Sequence, residues 1–112
     1  MWVFTPFGFF SVVRKPGDEY LTIRARVRKD LDELRRDYLH DLSETVHHGG
    51  TDYPYRARAS ADSVAQAMAA FVRDIDYSNF KDEVANRDSY ERAHAYGQVW
   101  GALYDLEAKL DR

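Results

Sequence analysis

The chain has 112 residues, of which 45% are apolar and 14% aromatic, and its formal net charge is −3 at pH 7. This length is typical of one domain, which we expect to span residues 1–112. The net negative charge argues against a protein that binds polyanions through its overall charge. Cysteine is absent, which excludes disulfides and thiolate metal sites. No apolar run reaches the ~20 residues of a membrane-spanning helix, and the start lacks the basic region of a signal peptide, so we expect a cytoplasmic protein.

The first half of the sequence predicts two β-hairpins with a helix between them. This prediction rests on runs of aromatic and β-branched residues, a Pro-Gly turn, a Gly-Gly turn and one amphipathic stretch. A two-residue loop in the first hairpin would pair Val12 with Leu21 and Phe10 with Ile23. The predicted elements are strands at residues 9–14 and 20–27, a helix at 30–42, and strands at 45–47 and 53–58.

The second half of the sequence predicts helices. Ser60 is a favourable N-cap for a helix that runs to about residue 73. Asp76 or Ser78 would cap a short helix that contains Phe80. A long helix is expected at 89–110, and its apolar spacing predicts these buried side chains: Tyr96, Val99, Trp100, Leu103 and Leu110.

These elements together predict an α+β fold. The order β-β-α-β-β-α matches a circularly permuted ferredoxin-like fold with a four-stranded antiparallel sheet. Numbering the predicted strands along the chain, we expect the sheet order 1-2-4-3, because the strand–helix–strand crossover is right-handed and the last strand inserts between the two. Two additional C-terminal helices complete the expected architecture.

Several short motifs resemble those of a family of short bacterial proteins of uncharacterised function. The first is residues 1–11, Met-Trp-Val-Phe-Thr-Pro-Phe-Gly-Phe-Phe-Ser. Residues 52–56, Asp-Tyr-Pro-Tyr-Arg, and 76–81, Asp-Tyr-Ser-Asn-Phe-Lys, fit the same pattern. The resemblance implies a stand-alone protein, and it implies no activity.

Two Arg-Ala-Arg segments are the most informative feature of the predicted sheet. By strand alternation Arg24 and Arg26 share one face of their strand, and Arg56 and Arg58 share one face of the neighbouring strand. Arginines interleaved with aromatic rings on a sheet are how several folds hold phosphates and stack bases. The alternative is that the extra helices cover this face and their acidic residues pair with the arginines. The rings expected on the same side are Phe7, Phe9 and Tyr20.

Small residues recur every four positions on the last predicted helix, at Ala93, Gly97 and Gly101. Glycine inside a helix costs about 1 kcal/mol relative to alanine, so a packing reason is expected. Another element would approach closely there, either the domain's own sheet or a second copy of the chain.

Two other groups of residues suggest a metal site and a catalytic site, and each also has a simpler structural interpretation. His47 and His48 with Asp52 suggest a metal site, but adjacent strand residues point to opposite faces, so a solvated loop is favoured. Residues 76–81 contain an acid and a lysine, but helix capping accounts for them better than catalysis does. No metal and no cofactor is expected.

Three functions remain open. We expect first a non-catalytic protein that binds a protein partner or itself, with Ala93, Gly97 and Gly101 at the interface. The alternative is binding of nucleic acid or another polyanion, for which an open arginine face would be the discriminating observation. The third is an enzyme of unrecognised type that binds a phosphate or carboxylate group. The candidate anion-binding residues are Phe9, Arg24, Arg26, Tyr55, Arg56 and Arg58.

Overall fold

The computed structural model describes residues 1–111 and is α+β, with one antiparallel sheet of five strands. The chain forms two compact units, Met1–Asp76 and Tyr77–Arg112, and the expectation of a single domain stays a prediction. The first unit contains β1 (Trp2–Thr5), β2 (Gly8–Val13), β3 (Leu21–Ala25), α1 (Arg28–Asp37), β4 (Val46–His47), β5 (Tyr55–Ala59) and α2 (Ala61–Arg73). The second contains α3 (Phe80–Arg87), α4 (Tyr90–Leu103) and α5 (Leu106–Leu110). Among the described residues, no helix has the length and apolar character to cross a bilayer.

The sheet has the order β1-β2-β3-β5-β4, and all neighbouring strands are antiparallel. The expected four-strand order 1-2-4-3 is not confirmed, because a fifth strand, β1, pairs with β2 at the edge. This strand forms because the chain reverses tightly between Thr5 and Gly8. The Thr5 hydroxyl donates to the Gly8 carbonyl at 2.8 Å and accepts from the Gly8 N–H at 2.9 Å.

The register between β2 and β3 differs from the prediction by two residues. Val12 pairs with Ile23, and Phe10 pairs with Ala25. The predicted pairing is wrong because the strands are joined by a longer connection than a two-residue loop, since β2 ends at Val13 and β3 begins at Leu21. A shift of two residues leaves each side chain on its predicted face of the sheet.

Helices α1 and α2 pack on one face of the sheet and form the core there. Asp30 of α1 is a buried acid at this contact, and its carboxylate accepts the Phe9 N–H at 3.0 Å. A Cβ at Gly8 would lie 2.9 Å from the Asp30 Cγ, so glycine is required where strand and helix meet. The core residues shared by sheet and helices include Phe10, Ile23, Ala25, Leu31, Leu34, Ala57, Val64 and Ala67.

The helix ends agree only in part with the sequence prediction. Ser60 caps α2 as predicted, since its hydroxyl accepts the Ser63 N–H at 3.1 Å. Helix α1 ends at Asp37 rather than at Leu42, although Leu42 is still buried in the following segment.

The second unit is a helical segment in which α3 and α4 pack together. The Phe80 and Tyr96 rings stack with centroids 5.8 Å apart. Asn79 caps α3 by accepting the Asp82 N–H at 2.9 Å, so the predicted caps at Asp76 and Ser78 are wrong. The predicted single helix at 89–110 is also wrong, because α4 ends at Leu103 and α5 is separate.

Candidate functional site

The face of the sheet opposite to α1 and α2, called the outer face below, carries the candidate arginines. Core residues such as Ile23 and Ala57 point toward the helices, so their strand neighbours Arg24 and Arg56 point away from them. Arg24 and Arg56 are direct cross-strand partners. Residues that are cross-strand partners form rows across this face: Trp2–Ser11–Arg24–Arg56–Val46, Phe4–Phe9 and Val13–Thr22–Arg58.

Tyr53, in the loop before β5, lies over the outer face and orders the arginines. The Arg24 and Arg26 guanidinium carbons are 4.5 and 4.8 Å from the centre of its ring. Arg56 donates through Nε to the Tyr53 carbonyl at 3.1 Å. Tyr53 is 4% exposed, so its ring is shielded from water. Cation–π interactions are stronger at such desolvated sites than at exposed ones. Tyr53 therefore contacts Arg24 of β3, Arg26 just after this strand and Arg56 of β5.

A row of aromatic rings continues from this cluster to the edge of the sheet. The Phe9 ring lies 6.4 Å from that of Tyr53 and stacks on Phe4 at 4.5 Å. Trp2 meets Phe9 edge-on at 5.8 Å and is 64% exposed. The outer face is therefore open at β1, where an indole is accessible for stacking.

The arginines of the outer face differ in their partners. Arg58 forms an ion pair with Asp18 at 2.6 Å and stacks on Tyr20 at 5.1 Å. Arg24 donates to the Ser11 hydroxyl at 2.7 Å, while its buried Nε has no hydrogen-bond partner. Within residues 1–111, no carboxylate forms an ion pair with Arg24, Arg26 or Arg56. Of the four candidate arginines, Arg58 is therefore the one that a carboxylate of the described chain neutralises, and this carboxylate lies in the loop before β3.

Two residues expected beside the arginines lie elsewhere. Tyr55 points toward the helix-covered face, where it stacks on His47 at 4.9 Å and under Arg28 at 5.1 Å. Adjacent strand residues alternate, so Tyr55 does not share a pocket with Arg56. Phe7 is 3% exposed in the core and stacks on Tyr38 at 5.3 Å, because it belongs to the turn after β1 rather than to a strand.

The small residues of α4 have different surroundings. Ala93 is buried, and a Cβ at Gly97 would be 3.6 Å from the Lys81 side chain, an ordinary contact. A Cβ at Gly101 would meet no heavy atom within 4 Å, so no backbone of the described chain packs closely there. The burial predicted for three apolar residues of this segment is wrong: Trp100, Leu103 and Leu110 are exposed.

The outer face can therefore offer guanidinium donors to an anion and ring faces to a planar group, side by side. Sequence reasoning missed Tyr53 as the residue that organises it. His47 is engaged with Tyr55, and residues 1–111 contain no group of three or more His, Asp and Glu side chains placed to hold a metal ion. In comparisons with known proteins, no family model, curated protein or solved structure matches the chain.

Proposed function

We propose that this chain is a non-catalytic binding protein whose outer face binds single-stranded nucleic acid. The observation that carries the proposal is the set of three arginines without carboxylate partners among residues 1–111, Arg24, Arg26 and Arg56, on the outer face that also carries the exposed indole of Trp2. Guanidinium groups that no carboxylate neutralises can hold an anionic ligand through charge-assisted hydrogen bonds.

Single-stranded nucleic acid fits this face better than a simple anion does. Strand phosphates match guanidinium donors, and bases stack on rings irrespective of sequence. The cross-strand row from Arg24 through Ser11 to Trp2 contains both a guanidinium group and an aromatic ring. Because the whole chain has a net charge of −3, we expect modest affinity that depends on this local surface.

We also propose that the sheet with α1 and α2 is a circularly permuted ferredoxin-like fold. In the order β3–α1–β4–β5–α2, β5 lies between β3 and β4. Helices α1 and α2 both contribute to the core on the same face of the sheet. This arrangement supports a circularly permuted ferredoxin-like fold extended by β1, and four-stranded sheets with helices on one face are common supports for RNA binding.

Titration of a fluorescent oligothymidylate or oligouridylate with the protein tests the proposed function. We expect saturable binding at about 20 mM salt that weakens as salt rises, with a slope near −2 if three phosphates are contacted at ~0.7 each. Absence of binding at low salt would refute it.

A second candidate function, self-association, is supported by a different surface. Trp100, in the last turn of α4, is 67% exposed, and Tyr104, which caps the end of this helix, is 70% exposed. Their ring centroids are 5.2 Å apart, and Gly97 and Gly101 belong to the same helix. Apolar patches of this kind are uncommon on monomers. Rings next to small residues on one helix can complement the same surface of a second copy, as a two-fold interface requires.

Substitution of Gly101 by leucine separates packing inside the chain from packing between copies. Because the site is open, Gly101→Leu should not lower the free energy of unfolding, and helix propensity favours the change by about 0.5–1 kcal/mol. If two copies meet on α4, this variant and Trp100→Gln should be monomeric in sedimentation experiments. Val72→Gln, at an exposed apolar site of α2, is the matched control and should leave the oligomeric state unchanged. A wild type that is monomeric at about 100 µM would contradict this candidate.

A further inference from the structure

A groove crosses the outer face over β3, β5 and β4, separate from the Tyr53 ring. Its volume is about 380 Å³. The strands contribute Arg56 and Arg58, and the loops around them contribute the other polar side chains. The polar lining that bears on ligand binding is Lys15, Asp18, Ser43, His48, Arg56 and Arg58.

The charges in this groove are unbalanced. Lys15, Arg56 and Arg58 carry positive charges, and His48 adds an imidazole that can donate a hydrogen bond. Asp18 is the one carboxylate among the lining residues, which leaves an excess of about two positive charges. Like charges placed together raise the free energy of the unliganded protein, and an anion of matching charge relieves this cost.

The donors of the groove are available to a ligand. Arg56 uses its Nε for the Tyr53 carbonyl, and its two terminal nitrogens have no acceptor among residues 1–111. Lys15 and His48 are exposed, and in the same part of the chain their side chains have no hydrogen-bond or ion-pair partner. Arg58, which forms an ion pair with Asp18, also lines the groove.

We propose that this groove binds a terminal phosphate group, so that the protein binds a phosphorylated end of a single strand better than an internal segment. A phosphomonoester carries about −1.5 to −2 charges at pH 7, whereas a backbone phosphodiester carries one. The excess of about two positive charges therefore matches the monoester. The inference rests on the proposed function, since the rest of the strand would lie across Arg24 and the aromatic rings.

Asp18 limits the net positive charge of the groove. Hydrogen bonds from the Tyr20 backbone N–H and from Arg58 lower the pKa of its carboxyl below the ordinary value, so it is ionised at neutral pH. The ionised Asp18 holds Arg58 in place and lowers the attraction of the groove for anions. Asp18→Asn keeps an acceptor for both donors and removes the charge, so it should strengthen phosphate binding several-fold.

The test compares three oligothymidylates of equal length: unphosphorylated, 5′-phosphorylated and 3′-phosphorylated. We expect one phosphorylated form to bind about tenfold more tightly than the unphosphorylated strand, as for one additional charge-assisted contact. The variant Lys15→Ala should remove most of this gain and leave the affinity for the unphosphorylated strand nearly unchanged, because Arg24, Arg26 and Arg56 are retained. Lys109→Ala in α5 is the control and should retain the gain.

The outcomes separate the two proposals. If all three strands bind equally, the terminal-phosphate inference is wrong and the proposed function stands. If no strand binds, both are wrong. Inorganic phosphate at millimolar concentration should remove the gain and spare unphosphorylated binding; equal competition against both strands would indicate a site for free anions without preference for strand ends.

Discussion

Replacement of Arg24 and Arg56 together by glutamine should weaken the binding of single-stranded DNA about a hundredfold at low salt. Each arginine offers charge-assisted hydrogen bonds worth about 1.5 kcal/mol or more, which is roughly tenfold in affinity per residue. The slope of log affinity against log salt should become less steep by about 1.4, because each lost phosphate contact removes ~0.7 from its magnitude. Fluorescence anisotropy titrations at several salt concentrations measure both quantities.

The same variant should remain folded, because neither arginine forms an ion pair with a carboxylate of the described chain. We expect a loss of stability of about 1 kcal/mol from the Arg24 contact with Tyr53. Arg36→Gln/Arg73→Gln removes the same charge from exposed helix positions and should leave affinity nearly unchanged. Equal weakening by both double variants would show that net charge, rather than the outer face, controls binding.

Truncation of Tyr53 to alanine should lower the free energy of unfolding by about 3 kcal/mol. Removal of a large buried aromatic side chain typically costs ~3–5 kcal/mol, and here the ring also contacts two guanidinium groups. For a chain of this size the melting temperature should fall by more than about 10 °C. Thermal unfolding followed by circular dichroism measures this change.

Tyr53→Phe is the matched control for the ring. It keeps the face that Arg24 and Arg26 contact, so stability and oligonucleotide binding should stay close to the wild type. A loss in Tyr53→Phe as large as in Tyr53→Ala would assign the effect to the hydroxyl group instead. Tyr53→Ala assayed well below its melting temperature should bind more weakly, because both arginines lose the surface that orients them.

The sequence contained enough information for the layout of the outer face. Alternation alone placed Arg24 and Arg56 on one side, and a register shift of two residues did not disturb it. The same rule, applied to Tyr55, would have placed that ring on the helix side. Strand β1 was also predictable, since Thr5-Pro6-Phe7-Gly8 carries a turn pattern with proline at its second position and glycine at its fourth.

Other features depended on tertiary packing that no local pattern encodes. The position of Tyr53 follows from the path of the loop between β4 and β5, and the sequence gives no periodicity there. The exposure of Trp100 and Leu103 runs against their apolar spacing, because hydrophobic periodicity indicates which face of a helix is apolar and not what covers it.

Chemical-shift mapping of the labelled protein during titration with a single-stranded oligothymidylate tests the central claim most directly. The account predicts that the amides of Ser11, Arg24 and Arg56 and the indole N–H of Trp2 shift together and saturate, while those of α4 stay in place. The contradicting result is an unchanged spectrum at saturating oligonucleotide, or shifts confined to residues 77–111.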